Sequence, residues 1–77
     1  KIGIHGIIGK YIRYYLNGNV WVECDYDYNS LNGQYISNYK NGLPHKKCWY
    51  RYNKLNGIYE EYFDNGILKI KCNYKNN

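Results

Sequence analysis

The sequence predicts an all-β fold, a thin antiparallel sheet of tandem β-hairpins with a period of 24 residues. Three observations carry this. Gly, Tyr, Asn-Gly and Cys recur in register at that spacing. Short Tyr- and Ile-rich segments, which suit a pleated surface, alternate with turn residues. No window of useful length shows helical periodicity.

A shift of 24 aligns Gly9, Gly33 and Gly57, then Tyr11, Tyr35 and Tyr59, then Tyr15, Tyr39 and Phe63. It superposes Asn17-Gly18, Asn41-Gly42 and Asn65-Gly66, and further along Cys24, Cys48, Cys72 and Tyr26, Tyr50, Tyr74. Leu31-Asn32 matches Leu55-Asn56. The units are therefore residues 9–32, 33–56 and 57–77 of one repeat domain spanning 1–77. Residues 1–8 form the tail of a degenerate fourth unit, with Ile2 and Ile4 where later units carry Tyr26 and Tyr28. The abrupt start at Lys1 suggests a piece of a longer chain.

In each unit Lys10–Leu16 is a first strand, and Asn17-Gly18 reads as a two-residue type I′ turn, whose central positions both need positive φ. Asn19–Tyr28 is the return strand, and Asn29-Ser30-Leu31-Asn32-Gly33 is the connection to the next unit. A two-residue turn pairs Tyr15 with Val20 and Tyr11 with Cys24, and opposed residues share a face. Tyr11, Tyr15, Cys24 and Tyr26 then line one face, with Arg13 and Val22 between them. The variable columns, Trp21/His45/Lys69 and Asp25/Trp49/Asn73, are expected on the other. Pro44, lacking an N–H, belongs at a strand start or a bulge.

Tyr supplies 12 of the 77 residues, against one Phe and no Met. Rings that pack while their hydroxyls seek a partner suit a thin sheet rather than a thick oily interior. Asn, Lys, Ile and Tyr all have AT-rich codons, which accounts for an excess of them but not for where Tyr and Asn fall. No apolar run approaches the roughly 20 residues of a membrane-spanning helix.

The residues that could carry chemistry are poorly placed for it. Cys24, Cys48 and Cys72 stand on return strands separated by an intervening strand, roughly 9–10 Å apart, too far for disulfides. They lack the Cys-x-x-Cys pairs of a zinc site and read as small apolar fillers between Tyr rings. His5 and His45 have no ligand or nucleophile at a useful spacing. Glu60 and Glu61 point to opposite faces, while Glu23, Asp25 and Asp27 form a solvated acidic stripe. No catalytic, cofactor-binding or metal-binding residue is expected, and no small-molecule substrate.

The net charge of +5 is unevenly spread: residues 9–32 carry −1, residues 33–56 carry +5 and residues 57–77 carry 0. The positive band lies across the middle unit beside aromatic residues, so Trp21, His45, Lys46, Lys47, Trp49 and Arg51 form the candidate partner surface. A protein partner or self-association is the first expectation. An anionic membrane surface or nucleic acid, bound through Lys46, Lys47 and Arg51, is the second.

The pattern Gly-x-Tyr-x-x-x-Tyr-x-Asn-Gly, followed by Cys-x-Tyr and Leu-Asn-Gly, resembles the MORN repeat in its variant form. The best matching stretches run from Gly33-Gln34-Tyr35 through Asn41-Gly42 and from Gly57-Ile58-Tyr59 through Asn65-Gly66. The resemblance implies an elongated, twisted, single-layer antiparallel sheet and a scaffold that tethers proteins or sits near membranes. It also implies a setting inside cells or in virions of large AT-rich DNA viruses. Cys-x-Tyr stands where the common form has return-strand glycines, so the implied lipid contact transfers poorly.

Overall fold

A computed structural model describes residues 6–75, and the expected Ile2 and Ile4 positions lie outside them. The described residues form one open antiparallel sheet with no helix. Its strands are β1 (Gly9–Tyr14), β2 (Val20–Asp27), β3 (Ser30–Asn38), β4 (Pro44–Arg51), the two-residue β5 (Lys54–Leu55), β6 (Gly57–Tyr62) and β7 (Leu68–Tyr74). The order is β1-β2-β3-β4-β6-β7, with β5 continuing the line of β6 along β4. The extents are 42 × 34 × 10 Å, a single layer with no second sheet upon it.

Tyr11 faces Cys24, Cys24 faces Tyr35 and Tyr35 faces Cys48, while Tyr59 faces Cys72. Large rings thus alternate with small thiols across the strands, and this row is where the sheet is best covered. Cys24 and Cys48 are buried, and Ser37 beside them is the one buried polar residue among those described. Tyr26, Tyr50 and Tyr74 stand opposite Gly9, Gly33 and Gly57. Each leans edge-on toward the ring of Tyr11, Tyr35 or Tyr59, with centroids 5.6–6.1 Å apart. We term this the Tyr–Cys face. Pro44 opens its strand at an irregularity, as expected for a residue without an N–H.

The turns correct two expectations. Asn17-Gly18 is not a two-residue turn, since Gly18 has φ +93° and Asn17 is absent from the positive-φ residues. Gly18 donates its N–H to the Tyr15 carbonyl (3.0 Å) and Tyr15 donates to Asn19 (2.8 Å), making a three-residue loop that ends on a left-handed glycine. The same bonds recur at Gly42 and Gly66. The two-residue turns are instead Tyr28-Asn29 and Tyr52-Asn53, all four residues at φ between +47° and +71°. Ser30 therefore begins β3, and the expected connection is itself strand.

The odd loop length sets the register. Val20 faces Tyr14, not Tyr15, and Trp21 is then an extra residue that restores Arg13↔Val22 and Tyr11↔Cys24. Equivalent bulges follow at Ser37/Asn38 and Glu61/Tyr62. A second bulge lies at Asn32-Gly33, because the register runs from Tyr26↔Leu31 to Cys24↔Tyr35. Gly33 there has φ +125°, and a Cβ on it would meet the Asp25 carboxylate at 3.0 Å.

Side chains bind each unit to the next at both ends of the strands. Tyr15 donates its hydroxyl to the Asn38 carbonyl and Tyr39 to the Tyr62 carbonyl, both at 2.7 Å. Asn17 accepts the Asn19 N–H at Oδ1 and donates Nδ2 to the Lys40 carbonyl, and Asn41 bridges Leu43 and Asp64 alike. At the opposite end Asn53 donates its backbone N–H to the Leu31 carbonyl and accepts the Leu31 N–H at Oδ1, each 2.8 Å. Asn29 repeats both bonds with Ile7. Asparagine carries an acceptor and a donor on separate atoms of one short amide, so it can bond its own loop and the next unit at once, and these ladders fix the positions that codon bias leaves unexplained.

Candidate functional site

Alternation along regular strands places Lys47, Trp49 and Arg51 together on the face opposite the Tyr–Cys row. Lys46 stands on the Tyr–Cys face, opposite Ser37 and Glu61. Trp21 and His45, expected beside Trp49, are on the Tyr–Cys face too, because each is the extra residue of a bulge. The Trp21 ring stacks on Tyr15 at 5.2 Å, and the Arg13 guanidinium lies 4.8 Å from it. His45 lies 4.6 Å from Tyr39, and the Lys69 ammonium 5.6 Å from Phe63. The six candidate residues thus divide into two groups of three on opposite faces. The repeated Tyr15/Tyr39/Phe63 column is the platform on which the variable Trp21/His45/Lys69 column rests.

The Tyr–Cys face is aromatic and cationic. Arg13 and Lys46 have no ion pair among the described residues, whereas Lys69 meets Glu61 at 3.4 Å. Tyr59 donates its hydroxyl to Glu61 (2.9 Å), and this bond, with help from Lys69, holds the Glu61 carboxyl below its ordinary range. Burial, then the same carboxylate, pushes the Tyr59 phenol well above its usual range. Burial also raises the Cys24 and Cys48 thiols, so they stay protonated and act as packing groups.

The opposite face mixes charge with exposed apolar groups. Lys10 bridges Glu23 (3.2 Å) and Asp25 (3.5 Å), and Lys71 meets Glu60 at 3.6 Å. Asp27, Lys47 and Arg51 are in no ion pair among the described residues. Between them stand Ile12, Trp49 and Ile58, each 39–47% exposed. Glu60 and Glu61 part to the two faces, as alternation requires, each with its own lysine.

Among the described residues there is no cavity, and no group of three or more His, Cys, Asp and Glu that could hold a metal. What the molecule offers is surface. The sequence did not signal these bulges: a two-residue turn at Asn17-Gly18 satisfies Tyr11↔Cys24 with no extra residue, and only the three-residue loop and the Tyr28-Asn29 turn require extra residues at Trp21 and at Asn32-Gly33.

Comparison with the curated proteins and with the solved structures yields no match. A family model described as a MORN repeat variant matches residues 8–28 and 55–76, together more than half of the chain. Those stretches hold the first hairpin and the last, and the middle unit repeats their Gly, Tyr, Asn-Gly and Cys columns in the same sheet. The chain therefore belongs to the MORN repeat variant family.

Proposed function

We propose that this protein is a non-catalytic scaffold that assembles with protein, either another copy of itself or a different chain. MORN repeats are in general non-catalytic modules that bind proteins or membranes. One observation carries the choice of protein: the layer is 10 Å thick and leaves both faces uncovered, with Cys24, Cys48 and Ser37 its only buried side chains among those described. Exposed Trp21 and Trp49 stand on opposite faces, the kind of large amphipathic residue that anchors protein interfaces. Light scattering over a concentration series tests self-assembly. The expected mass exceeds the 9.3 kDa of one chain and rises with concentration. A constant monomer mass at millimolar concentration would refute self-assembly.

A second reading rests on the free cations of the middle unit. Lys46, Lys47 and Arg51 lack ion pairs among the described residues and would attract an anionic membrane or nucleic acid. Their division between the two faces limits a flat membrane to part of the set. Sedimentation with anionic vesicles, or titration with an oligonucleotide, should show binding that weakens with salt and is lost on Lys46→Glu with Lys47→Glu. Unchanged binding by that variant would sink this reading.

A further inference from the structure

Rows and columns of the face opposite the Tyr–Cys row carry a charge pattern that complements itself. Glu23 on β2 and Lys47 on β4 occupy equivalent repeat positions, lie in one row and flank Ile36 of β3. Asp27 and Arg51 are likewise equivalent, each the last residue of its strand before a two-residue turn. At both heights the acid is on β2 and the base on β4, with β3 midway between them.

We infer that two copies of this chain pack back to back through this face, about a two-fold axis running close to β3. This deepens the self-assembly reading above and rests on it. Rotation about an in-plane axis parallel to the strands keeps each residue at its height and exchanges β2 with β4. Glu23 of each copy then faces Lys47 of the other, and Asp27 faces Arg51. Ile36 meets its own counterpart on the axis, and Trp49 covers the second copy beside Asp25. An isologous contact demands this self-complementarity, and it closes at two copies. The charges in no ion pair among the described residues, Asp27, Lys47 and Arg51, are the ones that gain partners.

The dimensions agree. Five strands of each copy overlap, about 24 Å across, and the strands run about 25 Å, a footprint of roughly 600 Å² per copy. Both sides together give roughly 1,200 Å², the lower bound of a stable interface. Facing sheets rotate by about 30°, which displaces the outer pairs by a few ångströms, within reach of Lys and Arg side chains. The Tyr–Cys face has no such match. Among the described residues its strands set Arg13, Lys46 and Lys69 against Glu61, so two such faces repel.

Charge exchange at Asp27 and Arg51, which are in no ion pair among the described residues, tests this. Asp27→Arg alone and Arg51→Asp alone should each weaken the dimer at least about tenfold in sedimentation equilibrium, because each reversal strikes two symmetry-related pairs. Mixing the two variants should restore a dimer of one copy of each, and joining both changes in one chain should restore the homodimer. Circular dichroism matching the unaltered chain confirms that the sheet is intact. Glu23→Lys and Lys47→Glu form an independent second pair if the turn-proximal changes unfold the chain. Three results would overturn the inference: a dimer indifferent to both sets, a mixture that fails to re-form, or an open series of oligomers, which marks strand-edge pairing. In each of these the assembly reading survives; a strict monomer of the unaltered chain removes both.

Discussion

Replacing Tyr39 by Phe removes one oxygen and leaves the ring. The hydroxyl donates at 2.7 Å to the Tyr62 carbonyl, while the ring stays against His45 at 4.6 Å, so packing is preserved and one junction between units loses a bond. A neutral hydrogen bond of this kind contributes about 1 kcal/mol net. A chain of this length has roughly 4–12 kcal/mol in all, so the loss is a sizeable part of it. The melting midpoint should fall by about 4–8 °C. Tyr15→Phe removes the matching bond to Asn38 and should cost the same. The two sites stand two strands apart, about 10 Å, so their costs should add to about 2 kcal/mol in the double variant. Phe63→Tyr is the control, since no strand beyond β7 offers an acceptor among the described residues; its effect should stay within about 0.5 kcal/mol. Urea unfolding followed by Trp fluorescence gives the magnitudes, and hydrogen exchange gives the place. Tyr39→Phe should loosen the amides of β6 and β7, and Tyr15→Phe those of β1. Losses under about 0.3 kcal/mol for both variants would refute the view that these hydroxyls join the units.

Gly9→Ala and Gly33→Ala both force alanine into positive φ, costing about 1–3 kcal/mol, but only Gly33→Ala also presses a methyl on Asp25 at 3.0 Å. Gly33→Ala should have the lower urea midpoint, and equal midpoints would show that the Asp25 contact yields freely. Asn41→Asp keeps the acceptor for Leu43 and loses the donor to the Asp64 carbonyl, so the loss should be about 1 kcal/mol or more in urea unfolding. Exposed Cys72 should react with a thiol reagent at least about tenfold faster than buried Cys24 and Cys48, read by mass spectrometry of each site. Burial raises Cys24 and Cys48 above 9.0 and Tyr35 and Tyr50 above 10.0. Above those ordinary values the unfolded chain releases protons that the sheet retains. Stability should therefore be full below about pH 9 and fall as pH rises beyond it, and a midpoint that is flat to pH 11 would contradict this.

The repeat made the sheet legible, because Tyr11, Cys24 and Tyr35 must share a row for identical units to stack. Turn chemistry was harder to read. Asn-Gly serves a two-residue turn and a three-residue loop equally well, since both place a glycine at positive φ, and the choice shifts the register beside the loop by one until a bulge restores it. That single residue moved Trp21 and His45 to the Tyr–Cys face and divided the expected partner surface. Tyr28-Asn29 escaped notice because tyrosine at positive φ is uncommon, and its cost is met by the bonds from Asn29 to Ile7. The middle-unit charge was legible as a sum, but its division between faces required knowing where the strands slip.

The Asn and Tyr ladders reach from one unit only to the next, and every copy of the link uses the same atoms. Length in such a molecule is therefore graduated. Each 24-residue unit adds two strands, about 9.6 Å of sheet, without altering any junction already made. A duplication of one unit would lengthen the sheet by one graduation and leave both surface patterns elsewhere in place. The sheet is in this sense a ruler whose marks can be recoloured singly, since Trp21, His45 and Lys69 differ freely while the columns beneath them hold the spacing.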